Sequence, residues 1–259
     1  TMKPTNLEAL QLSFKTQAPH FDSAKLHFTK QEYLEDTIRK TAPEKTDIIL
    51  DVAAGTCICG RSLAPHAGHV VCLDATPAML EVGKQESENH EIRNITFVKG
   101  YAEDLPFLDC SFDIVISRLA FHHFTNVEAC FSEMARVLKP GGKLIMIDMT
   151  MNDESLRDEV DRIERLRDAS HVRDLTLSEM RDLYVRNQLT PPYQEQTDLA
   201  VSLESWMKLT KTPEASRIEI RKLMKDHLNK KYATGFSPYL VDNEIYFNQH
   251  WVFNLGRKE

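Results

Sequence analysis

The sequence predicts an α/β fold in which helices cover both faces of a parallel sheet. Five short apolar runs bounded by turn residues recur in the first 150 positions, and stretches with helical spacing separate them. Strands that alternate with helices in this way pair in parallel through right-handed crossovers. The predicted strands are residues 47–52, 69–73, 95–99, 112–117 and 143–148.

A helix is predicted before the first strand. Residues 30–40 have helical spacing, and the pattern ends near Pro43. We expect this helix to cover one face of the sheet and to help close a ligand cleft.

After Asp148 the pattern changes to helices. Thr176 is a candidate N-cap with Glu179 three residues later, as in a capping box. The apolar and aromatic stretch near the end predicts the last strand of the same sheet, so that residues 153–243 form an insertion plus one more strand. The other helical patterns of this region are residues 153–168, 203–209 and 214–228.

Composition and charge argue against several classes of protein. With 259 residues and 42% hydrophobic content, the chain can bury a large core. The net charge of −7 and the lack of a Lys/Arg block argue against a nucleic-acid partner. No apolar run approaches the ~18 residues that suggest a membrane span, and no signal-peptide core follows the first residues. We therefore expect a cytoplasmic protein.

The five cysteines predict neither disulfides nor a metal site. Their number is odd, and most lie in apolar segments, as is typical of reduced, buried thiols. Cys57 and Cys59 are separated by one residue and lack a second pair or suitably spaced histidines, so no metal is predicted.

The turn after the first strand is typical of a nucleoside-binding site. Small residues up to Gly55 allow a ligand to approach the backbone closely. The dinucleotide fingerprint is missing, because Ala53 and Cys57 stand where its glycines would be expected. Asp74 lies 23 positions after Asp51, near the ~20-residue spacing at which a carboxylate reaches ribose hydroxyls. The structural alternative is that Asp74 caps the helix that follows it.

Four ordered motifs extend this pattern. They are Gly-Tyr-Ala-Glu-Asp-Leu-Pro-Phe at 100–107, Ser-Phe-Asp-Ile-Val at 111–115, Phe-His-His-Phe at 121–124 and Arg-Val-Leu-Lys-Pro-Gly-Gly at 136–142. With the first turn, they resemble the class I S-adenosylmethionine-dependent methyltransferases, and within them the ubiquinone/menaquinone C-methyltransferases and their small-molecule relatives. The resemblance spans about residues 14–148.

This resemblance implies a Rossmann-like fold with a mostly parallel seven-stranded sheet, an antiparallel C-terminal strand and a helical insertion. It divides the chain into an N-terminal lid or helical segment (1–43), a core that binds S-adenosylmethionine (44–150), and a helical insertion or acceptor lid with the final strands (151–259).

The resemblance also implies where the cofactor lies. Asp51, Ala53 and Gly55 would line its methionine part, and Asp74 would bind the ribose. The adenine would lie between Ala102 and Glu103, with Met79 as an apolar contact. The remaining residues expected at the cofactor site are Thr56, Ala75 and Arg118.

Three positions depart from the family pattern. Cys57 replaces the third glycine, Ala53 replaces the first, and Tyr101 stands where a small polar residue is usual near the adenine amino group. A Cys57 side chain beside the cofactor would weaken its binding, and Cys57→Gly would then restore it. Phe21 also replaces the usual tyrosine of the N-terminal lid.

The catalytic candidates are histidines. His122 and His123 follow the fourth strand, at the edge where parallel sheets bind ligands, and His122 is the candidate general base or acceptor-positioning group. The alternative is that one imidazole packs in the loop and bonds to backbone. His20 and His171 are further candidates to face the acceptor, with a structural role as the alternative for each.

The acceptor is expected to be a small, partly hydrophobic molecule. Aromatic residues would line its pocket: Phe14, Phe21, Phe121 and Phe124. The Arg/Asp-rich insertion fits an acceptor lid or a homodimer surface equally well. Two other functions stay open, a catalytically silent cofactor-binding module and a nicotinamide-dependent oxidoreductase. No tyrosine has a lysine four residues later, which argues against a short-chain dehydrogenase.

Overall fold

The computed structural model of the chain describes residues 4–18, 30–151 and 153–259. Its centre is one sheet with the strand order β3-β2-β1-β4-β5-β8-β6. The first five strands pair in parallel, and β8 runs antiparallel to β5 and to β6. The strands are β1 (Ile48–Val52), β2 (His69–Asp74), β3 (Ile95–Lys99), β4 (Phe112–Arg118), β5 (Leu138–Thr150), β6 (Tyr193–Ser202), β7 (Tyr239–Val241) and β8 (Glu244–Arg257).

This architecture confirms the predicted mostly parallel sheet with an antiparallel C-terminal strand. The short strand β7, which pairs only with the first residues of β8, adds an eighth strand to the seven expected. It was not predicted, because three residues are too few to show an alternating pattern.

The helices in the described part of the chain agree with most of the predicted patterns. Thr176 and Glu179 form the predicted capping box in both directions. The α-helices are α1 (Leu7–Gln17), α2 (Gln31–Thr41), α3 (Ile58–Leu63), α4 (Pro77–Asn89), α5 (Val127–Val137), α6 (Arg157–Arg167), α7 (Leu177–Arg186), α8 (Leu203–Leu209) and α9 (Glu214–Leu228).

Apolar clusters on the two faces of the sheet hold these helices in place. One cluster joins β4 and β5 to α5 and α7 through Phe131, Met134 and Tyr184. The other joins β1 and β2 to α3 and α4 through Leu63 and Leu80. Each large apolar side chain that is fully buried contributes roughly 1.5–3 kcal/mol, so both faces stabilise the sheet.

A third cluster connects the insertion to the end of the sheet. Trp206 of α8, Ile220 and Met224 of α9, and Phe247 and Trp251 of β8 pack together. Trp206 and Phe247 are almost completely buried and lie edge to face, with ring centroids 5.1 Å apart. The insertion is therefore packed against the edge of the sheet where a ligand would enter.

Candidate active site

The order in which strands are added to the sheet reverses between β1 and β4, and this fixes the position of the main cleft. From β1 the chain moves outward to β2 and β3, and it then crosses to β4 on the other side of β1. Open parallel sheets bind ligands outside the carboxyl ends of their strands at such a switch point. Here the cleft encloses about 880 Å³, part of it open to solvent.

Nine of the ten predicted cofactor residues line this cleft. They are Asp51, Ala53, Gly55, Asp74, Ala75, Met79, Ala102, Glu103 and Arg118. Thr56 is the exception, because it is fully buried and absent from the lining, so its contact with the cofactor stays a prediction. After Gly55 the chain turns inward, and the Thr56 carbonyl lies close to Gly83 of α4.

The turn between β1 and α3 is shaped by left-handed backbone conformations. Ala53, Gly55 and Cys57 have φ angles of 55°, 56° and 60°. Glycine adopts this conformation without strain, whereas Ala53 and Cys57 carry a steric penalty of roughly 1–2 kcal/mol each. The conformation brings the Gly55 amide to 2.8 Å from Asp74 Oδ2, which ties the first turn to the end of β2.

Cys57 is placed differently from the prediction. Its side chain is fully buried in the core between β2, α3 and α4, and it does not line the cleft. The sulfur of Cys57 packs against Gly83 of α4. A Cβ added at Gly83 would lie 3.0 Å from this sulfur. The steric reason for weaker cofactor binding, a sulfur beside the cofactor, is therefore wrong.

Asp51 and Asp74 present buried carboxylates at the ends of two adjacent strands. Asp51 Oδ2 accepts a 2.8 Å hydrogen bond from the Gly60 amide, and burial raises the pKa of Asp51 to about 7. Asp74 Oδ1 accepts a 2.7 Å bond from the Thr76 amide, and burial raises the pKa of Asp74 as well. The bond to Thr76 fits the helix-capping alternative, and the position of Asp74 in the cleft leaves the ribose role open.

Glu103 supplies an observation that tests the fit of the predicted cofactor. Its side chain is 5% exposed, and Glu103 Oε1 receives no hydrogen bond from the described residues. A buried acceptor without a donor is destabilising, so this oxygen suits a ligand that carries N–H groups, such as adenine. Met79 adds an apolar wall. The residues present therefore fit a nucleoside with an amino acid tail.

A second cavity adjoins the cleft, and we call it the acceptor cavity. It encloses about 500 Å³ between the sheet edge and the insertion. Phe14, Leu119 and His123 line both spaces, so the two meet at these three residues. The other residues of the acceptor cavity are Gln17, His122, Met149, Arg167, Asp168, Leu209, Thr210, Gln249 and Trp251.

The predicted aromatic lining is only partly correct. Phe14 lines both spaces and Phe124 lines the cleft. Phe121 lines neither, because it is 1% exposed and packs against Phe131 and Phe124 in the core. Phe21 lies outside the described residues, as does the catalytic candidate His20.

His122 is bonded to a buried carboxylate. Its Nδ1 lies 2.6 Å from Asp148 Oδ1, and the other oxygen of Asp148 accepts bonds from the amides of Phe121 and His122. Burial disfavours the charged imidazole, but the charge of Asp148 and this hydrogen bond outweigh it and raise the pKa of His122 to about 9. His122 is therefore a cationic donor at neutral pH.

His123 is in the opposite state. Its Nδ1 lies 3.0 Å from the carbonyl oxygen of Ser170, which can only accept, so Nδ1 carries the proton and Nε2 keeps a lone pair. Burial, together with the charge of His122, lowers the pKa of His123 to about 3. The two imidazoles are stacked at an angle, with centroids 4.1 Å apart. One donor and one acceptor thus stand side by side.

His171 has a structural position. Its Nε2 lies 2.9 Å from Asp161 Oδ1, and the residue is 4% exposed and lines neither the cleft nor the acceptor cavity. This placement agrees with the structural alternative.

Helix α1 contacts residues of both the cleft and the acceptor cavity. Gln11 Nε2 donates to the Ala75 carbonyl beside the cleft, and Ser13 Oγ donates to Asp168 Oδ1 at the acceptor cavity. The Phe14 ring lies edge to face with His123, with centroids 5.0 Å apart. The N-terminal segment therefore contacts both halves of the site.

Sequence reasoning missed several residues of the acceptor cavity. Asp148 ends a predicted parallel strand, and this position is a sequence signal for a residue at the ligand-binding edge of the sheet. Asp168 and Trp251 had none, because their contacts depend on how the insertion folds back over the sheet.

Two kinds of feature are absent from the described residues. No helix there is long and apolar enough to cross a membrane. No three His, Cys, Asp or Glu side chains in residues 4–18, 30–151 and 153–259 are grouped to hold a metal ion.

Comparison with known proteins bears on the family. Residues 50–146 match a methyltransferase domain family. The chain is 37% identical over 166 residues to YcgJ, an uncharacterized methyltransferase of Bacillus subtilis. The aligned region covers 64% of this chain and 66% of YcgJ. The chain is 32% identical over 157 residues to a demethylmenaquinone methyltransferase of Listeria welshimeri, with 57% and 65% covered. The chain thus spans about two thirds of these curated relatives.

Solved structures extend the match over nearly the whole fold. The crystal structure of YcgJ from Bacillus subtilis has a TM-score of 0.81 and 31% identity, covering 88% of this chain and 98% of that one. The crystal structure of BH2331 from Bacillus halodurans C-125 has a TM-score of 0.80 and 26% identity, with 88% and 99% covered. Together with the fitted cleft, these matches show that the chain belongs to the class I S-adenosylmethionine-dependent methyltransferases, with S-adenosylmethionine as its cofactor.

Proposed function

We propose that this chain transfers the methyl group of S-adenosylmethionine to a small, partly hydrophobic molecule in the acceptor cavity. The observation that carries the proposal is the junction of the cleft and the acceptor cavity at Phe14, Leu119 and His123. Methyl transfer is an in-line displacement, which requires donor and acceptor to meet through one opening. When bound, the cofactor supplies an electrophilic methyl group; the chain supplies the geometry.

The acceptor cavity has walls that favour a small amphipathic molecule. Leu119, Met149, Leu209 and Trp251 give apolar surface, while polar and charged side chains, among them Arg167 and Asp168, line the rest. Polar groups beside an apolar wall are typical of sites that orient small molecules. In this proposal residues 44–150 bind the cofactor, while 1–43 and 151–259 cover the acceptor.

His123 is the proposed proton acceptor, in place of His122. The bond from Nδ1 to Ser170 leaves a lone pair on Nε2, and the ring, neutral over the physiological range, can accept a proton or a hydrogen bond there. His122, held cationic by Asp148, is proposed to donate to the acceptor and to stabilise negative charge that develops on it. Adjacent groups whose pKa values are pushed apart are typical of acid and base pairs.

The cellular setting belongs to the same proposal. We propose a cytoplasmic enzyme that acts on a small molecule rather than on nucleic acid, which the net charge of −7 favours. The homodimer expected as one use of the insertion stays a prediction.

The test is a methyl-transfer screen that detects S-adenosylhomocysteine with a panel of small hydroxyl, enol and amine acceptors. With an accepted substrate, His123→Ala should lower kcat by roughly 10²-fold or more, the usual effect of losing a general base, without changing cofactor affinity. His66→Ala, at an exposed histidine, is the control. Unchanged turnover in His123→Ala would remove it from the mechanism. Cofactor binding without transfer to any acceptor would instead favour the silent module.

A further inference from the structure

A third cavity lies next to the acceptor cavity, on the far side of Met149 and Gln249, which line both. It encloses about 420 Å³ between β5, β8 and the insertion. Glu164, Asp174, Phe236 and Phe247 also line it, and we call it the carboxylate cavity. The cofactor and the proposed proton transfer use none of these four residues.

One oxygen of the Asp174 carboxyl group lacks a hydrogen bond, and burial raises the pKa of this group to about 7. Asp174 is 5% exposed, and its Oδ1 receives no hydrogen bond from any residue in the described part of the chain. Its backbone amide donates to Asp161 Oδ1 at 3.1 Å, so the atom of Asp174 without a hydrogen bond is the side-chain oxygen Oδ1. A buried polar group without a partner is destabilising, and a buried charge more so.

A second buried carboxylate faces the same cavity. Glu164 is 3% exposed, and the bond from Arg167 Nη1 to its Oε2 is long, at 3.4 Å. Arg167 is engaged elsewhere, because its Nε donates to the Trp206 carbonyl and its guanidinium lies 4.8 Å from the Trp206 ring centroid. Glu164 therefore has one ion-pair partner at long distance, and the imidazoles of His122 and His171 attract Asp174, but none of them donates a hydrogen bond to Asp174 Oδ1.

The remaining lining indicates an organic cation. The one basic side chain among the lining residues, His250, already lies 2.6 Å from Asp198. Phe236 and Phe247 lie edge to face, with centroids 5.2 Å apart, and aromatic rings attract ammonium groups. The described residues contain no group of three metal-ligating side chains, so an ammonium group suits the cavity better than a metal ion.

We propose that the carboxylate cavity binds a primary ammonium group of the methyl acceptor through Asp174 and Glu164. The rest of the acceptor then passes Met149 and Gln249 into the acceptor cavity, where His122 and His123 meet its reacting atom. This inference rests on the proposed function, because it places both ends of the same acceptor. It narrows the substrate class to small amines with an apolar body and a second, methylated group.

The test measures binding of simple probes to the full chain saturated with S-adenosylhomocysteine. In isothermal titration calorimetry, hexylammonium chloride should bind, whereas 1-hexanol, its neutral counterpart, should bind at least tenfold more weakly. Potassium chloride and ammonium chloride at equal concentration test whether the charge alone suffices. Equal binding of hexanol, or full competition by potassium, would overturn the proposal without a variant being made.

Variants then locate the binding site. Asp174→Asn and Glu164→Gln should each weaken hexylammonium binding at least tenfold, while Asp158→Asn, which removes an exposed carboxylate of α6, should not. Binding of S-adenosylhomocysteine by each variant checks that it folds. Unchanged hexylammonium binding in Asp174→Asn would contradict the inference. Methyl transfer to neutral acceptors alone would do so too, yet leave the proposed function intact.

Discussion

At the scale of single residues, the site contains two neighbouring histidines with different hydrogen-bond partners and opposite pKa shifts. His122 and His123 share a short turn, yet Asp148 holds one cationic and the Ser170 carbonyl fixes the tautomer of the other. Asp148 lies 26 positions from His122, and Ser170 lies 47 positions from His123. The sequence could therefore identify both histidines as catalytic candidates, but it could not show which one is cationic and which one is neutral.

Replacing Asp148 should show how much the buried His122–Asp148 pair contributes to the free energy of unfolding. Asp148→Asn keeps the shape but leaves buried His122 without its counter-charge, so the free energy of unfolding should fall by roughly 3–5 kcal/mol. The pKa of His122 is about 9 in the folded chain against about 6.5 when unfolded. In the wild type, this pair thus stabilises fully below about pH 6.5, and the contribution is lost as pH rises through 9.

Urea unfolding at pH 6 and at pH 9.5 measures both effects. Asp198→Asn is the matched control, because Asp198 lies at the same 2.6 Å from the Nδ1 of His250 but is 57% exposed. Exposed pairs contribute about 0–1 kcal/mol, so this variant should change little. Equal losses in the two variants would mean that burial does not matter here.

Asp51 should make cofactor binding depend on pH. Burial raises its pKa to about 7, and the cationic groups of S-adenosylmethionine favour the ionised carboxylate. Below pH 7 the free protein must lose a proton to bind, so the Kd should rise as pH falls, approaching tenfold per pH unit. Titration calorimetry between pH 5.5 and 8.5 measures this slope. Asp51→Asn should flatten it, and a slope that persists would assign the proton to another group.

Much of the cofactor site could be predicted at this scale, because its residues follow strand ends in fixed local motifs. The positions that the motifs do not describe are those where a side chain turns inward. Thr56 and Cys57 directly follow Gly55, and both are buried beside left-handed backbone conformations at Gly55 and Cys57. A sequence shows that such a turn is present, but not on which side each Cβ emerges.

At the scale of helices and strands, the sequence predicts an element well when the interactions that form it join residues close in sequence. The capping box at the start of α7 was predicted from two residues three positions apart and is present. Strand β6 was expected only as one more strand without bounds, because its pairing with β8 brings together residues far apart in sequence, and the three-residue strand β7 was not predicted. The same holds for α1, whose hydrogen bonds to Ala75 and Asp168 cross most of the site.

The capping box offers a test of element stability. Thr176 Oγ1 accepts from the Glu179 amide at 3.2 Å, and Glu179 Oε2 accepts from the Thr176 amide at 2.9 Å. Thr176→Ala should lower the free energy of unfolding by about 1 kcal/mol, because one amide of the first turn loses its acceptor. Ser178→Ala, at an exposed position of the same turn, should stay within about 0.5 kcal/mol of wild type. Chemical denaturation gives both values, and equal values would show that the cap contributes nothing.

At the scale of the whole molecule, the strand order and the insertion together create the site. The switch between β1 and β4 opens the cleft, and α1, α6 and α8 enclose the acceptor cavity beside it. The cleft is therefore lined mostly by residues of the core, whereas core residues and the segments outside the core together line the acceptor cavity. The match to the methyltransferase domain stops at residue 146, before most of the acceptor cavity, so family membership leaves the acceptor open.

Thermal unfolding in the presence of nucleotides tests this picture for the intact chain. A ligand that binds only the folded state raises the apparent stability by about 2.7 kcal/mol at a hundred times its Kd. S-adenosylmethionine and S-adenosylhomocysteine should both raise the Tm, because both fit the cleft at the switch point. NAD(H) and NADP(H) should not, since the first turn lacks the glycines that let a pyrophosphate approach the helix. Asp74→Ala should reduce the response to both sulfur nucleosides, while Asp158→Ala, on the exposed side of α6, should preserve it. A response to the nicotinamide cofactors alone would place a different ligand in this cleft.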